Sequence, residues 1–153
     1  MEPRINAAQV APEAYKIMLQ FEAYAKTTGF DPLLVELVKI RASQINGCAF
    51  CLDMHTKDAR SIGETEQRIY CLNAWRESPF YSDAERAALE LTEAVTLIST
   101  ARVPDDLYER VRKHFTEKQY VDLVFMINTI NSWNRLSISM NNPPGTYQPA
   151  AHK

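Results

Sequence analysis

The sequence predicts an all-α fold, built as a single domain over residues 1–153. Apolar residues recur along the chain at helical spacing, and no stretch alternates apolar with polar residues as a half-buried strand does. Only 4 glycines are present, and the one Asn-Gly pair, Asn46-Gly47, lacks the alternating flanks of a hairpin. Two capping boxes, Ser82-x-x-Glu85 and Thr116-x-x-Gln119, mark helix starts. At 46% hydrophobic and 24% charged residues, a chain of 153 can bury a core without disulfide or metal staples.

The elements follow in order. A first helix is expected from Pro12 to about Thr27, with Ile17, Phe21 and Tyr24 on one side and Gly29 past its end. Asp31 caps the second and Pro32 takes its first helical position; Leu33, Leu34, Leu37, Val38 and Ile40 follow, and Asn46-Gly47 stops it. The third runs from the Cys48 turn to near Ile62-Gly63, and the fourth from about Thr65 to Arg76, closed by Ser78-Pro79. The box at Ser82 opens a fifth, through about Ile98, and Pro104 opens a short sixth that ends near His114-Phe115. The box at Thr116 opens a long seventh to about Met140, where Asn141-Asn142-Pro143-Pro144-Gly145 stops it; an irregular tail begins at about 141. In that last helix only Asp122 is polar between Val121 and Ile127, so it is expected in the middle of a bundle or across the interface of a homo-oligomer.

Charge and composition exclude several functions. Against 17 Lys+Arg stand 19 Asp+Glu, a net charge of -2, which offers no basic field to a nucleic acid. No stretch approaches the ~18 apolar residues of a membrane span, and Met1-Glu2-Pro3-Arg4-Ile5-Asn6 has no apolar region of a signal peptide. A cytoplasmic location, where thiols stay reduced, is therefore expected. In such a compartment the pair Cys48-x-x-Cys51, out of 3 cysteines, points to chemistry or metal rather than to a staple.

At roughly 100° per residue, Cys48, Cys51 and His55 fall within an arc of about 60°. Cys48 stands at the start of its helix, where unpaired N–H groups and the dipole favour a thiolate. Cys51 and His55 are four residues apart, so the imidazole can reach the thiol directly or through one water. Glu36, on the preceding helix, shares a stripe with Leu33, Leu37 and Ile40, and a carboxylate there needs a partner. Glu36 is expected to hold His55 in one tautomer while His55 takes the proton of a cysteine, the logic by which carboxylates orient catalytic histidines. A structural zinc site would need four ligands, and no second Cys-x-x-Cys or His pair is present. A c-type haem would need His directly after the second cysteine, where Leu52 stands. Cys71 reads as a small buried hydrophobe, His114 and His152 as histidines without a motif, and Asn128, Asn131, Asn134 and Arg135 as a hydrogen-bonding stripe at a helix contact. Tyr15, Phe21, Tyr24 and Phe30 read as core or interface aromatics.

Glu36, eleven intervening residues, Cys48-x-x-Cys51, three more and His55 together resemble the AhpD-type alkylhydroperoxidases of the carboxymuconolactone decarboxylase superfamily. The likeness is densest over Val38-Lys39-Ile40-Arg41-Ala42-Ser43-Gln44-Ile45-Asn46-Gly47 and Cys48-Ala49-Phe50-Cys51-Leu52-Asp53-Met54-His55. It continues through Ala74-Trp75-Arg76-Glu77, Glu85-Arg86-Ala87-Ala88-Leu89 and Asn131-Ser132-Trp133-Asn134-Arg135. The resemblance implies a helical homo-oligomer (dimer, trimer or hexamer) acting without cofactor or metal as a thiol peroxidase or disulfide reductase. Its partners would be a small hydroperoxide and an external dithiol reductant. It further implies that Glu36 and His55 form the proton relay, that Cys51 is the thiol deprotonated, and that Cys48 closes the disulfide and meets the reductant. One residue departs from the pattern: Phe50 stands where well-studied members have His. Which cysteine attacks first stays open, the helix dipole favouring Cys48 and the spacing to His55 favouring Cys51. The rival readings are an acid/base enzyme on a small lactone using Glu36 and His55, like the decarboxylases of the superfamily, and a redox-responsive interaction protein.

Overall fold

The computed structural model describes residues 2–150. Its regular elements are all helical: α1 (Ala7–Val10), α2 (Pro12–Ala25), α3 (Pro32–Asn46), α4 (Ala49–Ser61), α5 (Glu66–Tyr70), α6 (Asp83–Thr96), α7 (Asp105–Arg112) and α8 (Glu117–Met140), with a 3-10 turn at Leu72–Ala74 between α5 and α6. Among the described residues there is no strand, and no helix is long and apolar enough to cross a membrane. His152 lies outside the described residues.

Local chemistry sets most helix ends. Asp31 Oδ1 accepts from the Leu33 N–H at 3.0 Å, with Pro32 in the first turn of α3. Gly47, at φ +68°, ends that helix in the left-handed conformation that a side chain would strain. Both capping boxes form: Ser82 and Glu85 bond reciprocally at the start of α6, Thr116 and Gln119 at the start of α8.

Where the boundaries depart from expectation, side chains from elsewhere in the fold intervene. The helix expected from Thr65 to Arg76 divides at Cys71 into α5 and the 3-10 turn. Beyond it, the carbonyls of Trp75, Arg76 and Ser78 are taken by the guanidinium of Arg86 on α6. Distant donors thus satisfy backbone groups that a continuing helix would have paired. The fifth expected helix stops at Thr96 rather than near Ile98, followed by a turn with Arg102 at φ +60°. The sixth ends at Arg112 rather than near His114. The extra turn α1 is capped by Asn6, which accepts from the Gln9 N–H at 3.2 Å.

Helix α3 is the centre of the bundle, packed against α4, α6 and α8. Its Leu37, Val38, Ile40 and Ala42 are wholly inaccessible, as are Leu123, Ile127 and Ile130 of α8. Each fully buried leucine or isoleucine contributes ~1.5–3 kcal/mol. Glu93 of α6 ties three elements together: it accepts from Arg41 of α3 at 2.8 Å, from the Trp75 indole at 2.8 Å and from Arg76 at 2.5 Å. The long helix α8 is not buried all round. Val121 and Phe125 remain about half exposed, whereas Asp122, its one polar residue in that stretch, is buried and accepts from Tyr24 at 2.8 Å and Lys118 at 2.6 Å.

Candidate active site

The α3–α4 junction builds the site. After Gly47 turns the chain, Cys48 becomes the N-cap of α4, with its Sγ accepting from the Cys51 N–H at 3.4 Å. One helical turn on, Cys51 places its sulfur 2.6 Å from that of Cys48, and both residues are buried. The two thiols are electrostatically unequal. Cys48 is lowered to about 7, first by the hydrogen bond from the Cys51 thiol, with burial opposing and the Cys51 N–H and Asn134 amide assisting. Cys51 is pushed far up, by the hydrogen bond it donates to Cys48, by burial and by the neighbouring charge. Negative charge on the pair is therefore favoured at Cys48, at the helix N-terminus.

His55 follows on the same face of α4, and its ring is buried. Its Nδ1 lies 2.8 Å from Glu36 Oε2 on α3, which leaves Nε2 for proton transfer. The cations nearest Glu36 in sequence pair elsewhere: Lys39 is buried against Glu22, and Arg41 bonds to Glu93. All four residues singled out in the sequence thus converge across one helix–helix interface.

A cavity of about 670 Å³ opens beside them. Cys51, His55 and Glu36 line it, as do Phe50 and Trp133, whereas Cys48 does not. The cavity therefore reaches one sulfur of the pair, and the other stands behind it in a small apolar cluster of Ala42, Cys48, Cys51 and Ile130. Phe50, at the position where the resemblance leads one to expect His, contributes apolar wall packed against that cluster. Of the aromatics, Tyr15 stacks edge-on to Trp133 at 5.3 Å and lines the cavity with Phe30, while Phe21 packs on Phe125.

Asn134 is the residue that sequence reasoning undervalued. It is wholly buried on α8, donates to Ser43 Oγ at 3.0 Å, accepts from Asn46 at 2.8 Å, and its amide also hydrogen-bonds the two thiols. The stripe reading holds for Asn131 and Asn134, which both receive the Asn46 amide. The signal for the further role was present: Asn131, Asn134 and Ser137 recur every three residues along one side of the helix.

The remaining candidates fall elsewhere. Cys71 is half-buried, not fully buried, and its sulfur accepts from Gln67 at 3.3 Å. His114 lies in a separate cleft with Trp75, Arg86 and Arg110. Among the described residues, Glu36, His55 and Asp58 have ligand atoms within 4.8 Å of one another, a set of oxygen and nitrogen donors that does not include the cysteines.

Comparison with known proteins places the chain. The family model for carboxymuconolactone decarboxylases matches residues 12–94. The uncharacterised protein YdfG of Bacillus subtilis (strain 168) is 61% identical over 142 residues, 93% of this chain and 97% of its own. The crystal structure of ATU0492 from Agrobacterium tumefaciens is a protein of unknown function for which an antioxidant defence role as AhpD has been suggested. It superposes with a TM-score of 0.91 at 41% identity, over 95% of this chain and 100% of that one. The debrominase Bmp8 shares the fold, with a TM-score of 0.76 at 17% identity over 88% of this chain and 73% of its own.

Proposed function

The chain belongs to the carboxymuconolactone decarboxylase family, with an AhpD-like fold, and from that premise we propose that it is a thiol peroxidase cycling between a Cys48–Cys51 dithiol and disulfide. The observation that carries the reading is the geometry of the pair: Cys51 faces the cavity beside His55, while Cys48, where negative charge is favoured, stands behind it at 2.6 Å.

The cycle follows from those positions. His55, held through Nδ1 by Glu36, takes the Cys51 proton at Nε2 as that sulfur attacks, so that no second thiolate forms beside Cys48. The Cys51 sulfur attacks the distal oxygen of a hydroperoxide, the O–O bond breaks, and the departing alkoxide takes the proton back from His55 as an alcohol. Cys51 is then a sulfenic acid. The Cys48 thiolate attacks that sulfur and hydroxide leaves, taking back from solvent the proton that Cys48 had given up, so that water forms and the disulfide closes before further oxidation. One hydroperoxide and two thiols have become one alcohol, one water and one disulfide. An external dithiol restores the pair by exchange, chemistry that suits a reducing compartment such as the cytoplasm. No step calls for a cofactor or metal. The half-exposed apolar strip of Tyr24 and Phe125, whose rings meet at 6.3 Å, supports a homo-oligomer that covers it.

The test is a thiol titration of the reduced protein before and after one equivalent of an organic hydroperoxide. Loss of two thiols with a Cys48–Cys51 disulfide in the peptide map is expected; no loss rejects the redox reading and leaves acid/base chemistry by Glu36 and His55 on a lactone. Sustained peroxide consumption with a dithiol donor then separates an enzyme from a redox-responsive binding protein.

A further inference from the structure

The carboxyl-terminal segment reads from sequence as an irregular tail, yet it is tied down along α4. The Gly145 N–H donates to Asp53 Oδ2 at 2.9 Å, Lys57 Nζ donates to the Tyr147 carbonyl at 3.0 Å, and the Tyr147 phenol donates to Asp58 Oδ1 at 2.7 Å. Asp53 and Lys57 are themselves paired at 2.9 Å, so the anchors form one connected strip on the helix that carries Cys51 and His55. The phenol of Tyr147 is pushed up to about 12, by burial and by its bond to Asp58. The consequence is positional. Tyr147 and Ala150 line the same cavity as Cys51 and His55, and with Tyr147 half-buried and Ala150 exposed they stand between that cavity and solvent.

We propose that Tyr147 is the specificity-determining residue of the thiol cavity, a wall latched to Asp58 that limits the size of the molecule able to reach Cys51. Without it, one side of the cavity would be open to water, and selection would rest on Phe50, Trp133 and their neighbours alone. Because Asp58 also has an oxygen within 4.8 Å of ligand atoms of both Glu36 and His55, the wall is fastened next to the groups that handle the proton. The inference deepens the peroxidase reading, since it assigns the determinant of substrate size for that same sulfur.

Its test does not depend on peroxidase turnover. The reduced protein is alkylated separately with iodoacetamide, which is small, and with N-(1-pyrenyl)maleimide, which is broad and rigid, and label at Cys51 is followed by peptide mass mapping. Tyr147→Ala is expected to speed the pyrenyl reaction about ten-fold, the factor that ~1.4 kcal/mol of barrier represents, and to change the iodoacetamide rate less than about two-fold. Lys57→Met, which frees the backbone of the segment without altering the cavity lining, is expected to act in the same direction with smaller size. An unchanged ratio of the two rates in both variants overturns the proposal, and so does an equal rise in both rates. A protein that fails to consume peroxide but shows the expected change in the ratio loses the peroxidase reading and keeps this one.

Discussion

Glu36 Oε2 and His55 Nδ1 face each other at 2.8 Å across the α3–α4 interface, and the two cations nearest Glu36 in sequence are engaged by other carboxylates. The pairing is thus selective: Lys39 goes to Glu22 and Arg41 to Glu93, which leaves Glu36 for the imidazole.

Replacing Glu36 by Gln preserves a hydrogen bond but removes the charge that supports an imidazolium. Stopped-flow oxidation of the reduced protein by an organic hydroperoxide is expected to slow on the order of 10²-fold, the lower range for general acid–base catalysis. Unchanged kinetics would rule out the relay.

The cysteine variants separate attack from resolution. Cys48→Ser is expected to accumulate a sulfenic acid at Cys51, trapped by dimedone and located by mass spectrometry, because the cavity still reaches that sulfur. Cys51→Ser is expected to trap far less label. The reverse pattern assigns the attack to Cys48.

The unequal thiols have a consequence for stability. Cys48 is lowered from 9.0 to about 7 on folding, so its contribution is full above about 9 and is lost as pH falls through about 7. Cys51 is raised, so its contribution is present below 9.0 and is lost as pH rises beyond that value. The urea midpoint of the reduced protein is expected to increase from pH 7 to 9 and to decline above 9, relative to a Cys48→Ser reference. A parallel pair of profiles would refute the assignment.

Asn134 couples the thiols to the helix packing. Asn134→Ala leaves the half-buried Asn46 and the buried Ser43 short of a bond and is expected to cost ~1–3 kcal/mol in urea unfolding. Thiolate absorbance near 240 nm, titrated on the folded variant, is expected to appear at higher pH than in the parent. An unshifted titration would confine Asn134 to a packing role.

Phe50 tests the missing relay member. Phe50→His puts a second imidazole on the cavity wall, at the position that AhpD-type enzymes give to His. An increase in peroxide turnover is expected, on the order of ten-fold or more. A decrease would mean that the aromatic wall with Trp133 matters more than a second proton carrier.

Much of the molecule was legible in the residues. Caps such as Asp31-Pro32 and the boxes at Ser82 and Thr116 work within a few residues, so their outcome is decided locally. The same holds for the face shared by Cys48, Cys51 and His55, which helical spacing alone brings together. The end of regular structure after Ala74 was not legible, because the donor that takes the carbonyls of Trp75 and Arg76 is Arg86, well along the chain. Nor was the seat of Asp122: no local pattern tells that Tyr24, far away along the chain, joins Lys118 in satisfying a buried acid.

From the residues alone came the helical class, the identity of the thiol pair and the choice of His55 and Glu36, since each rests on short-range periodicity and on residue chemistry. The three-dimensional packing settled what those signals left open. It chose His55 over Lys39 and Arg41 as the partner of Glu36, put Cys51 on the cavity and Cys48 behind it, and brought Asn134 and Tyr147 to the same place from α8 and the chain end. The reason is physical: burial makes every polar group find a partner, and which partner is within reach depends on how the helices cross, which no local pattern encodes.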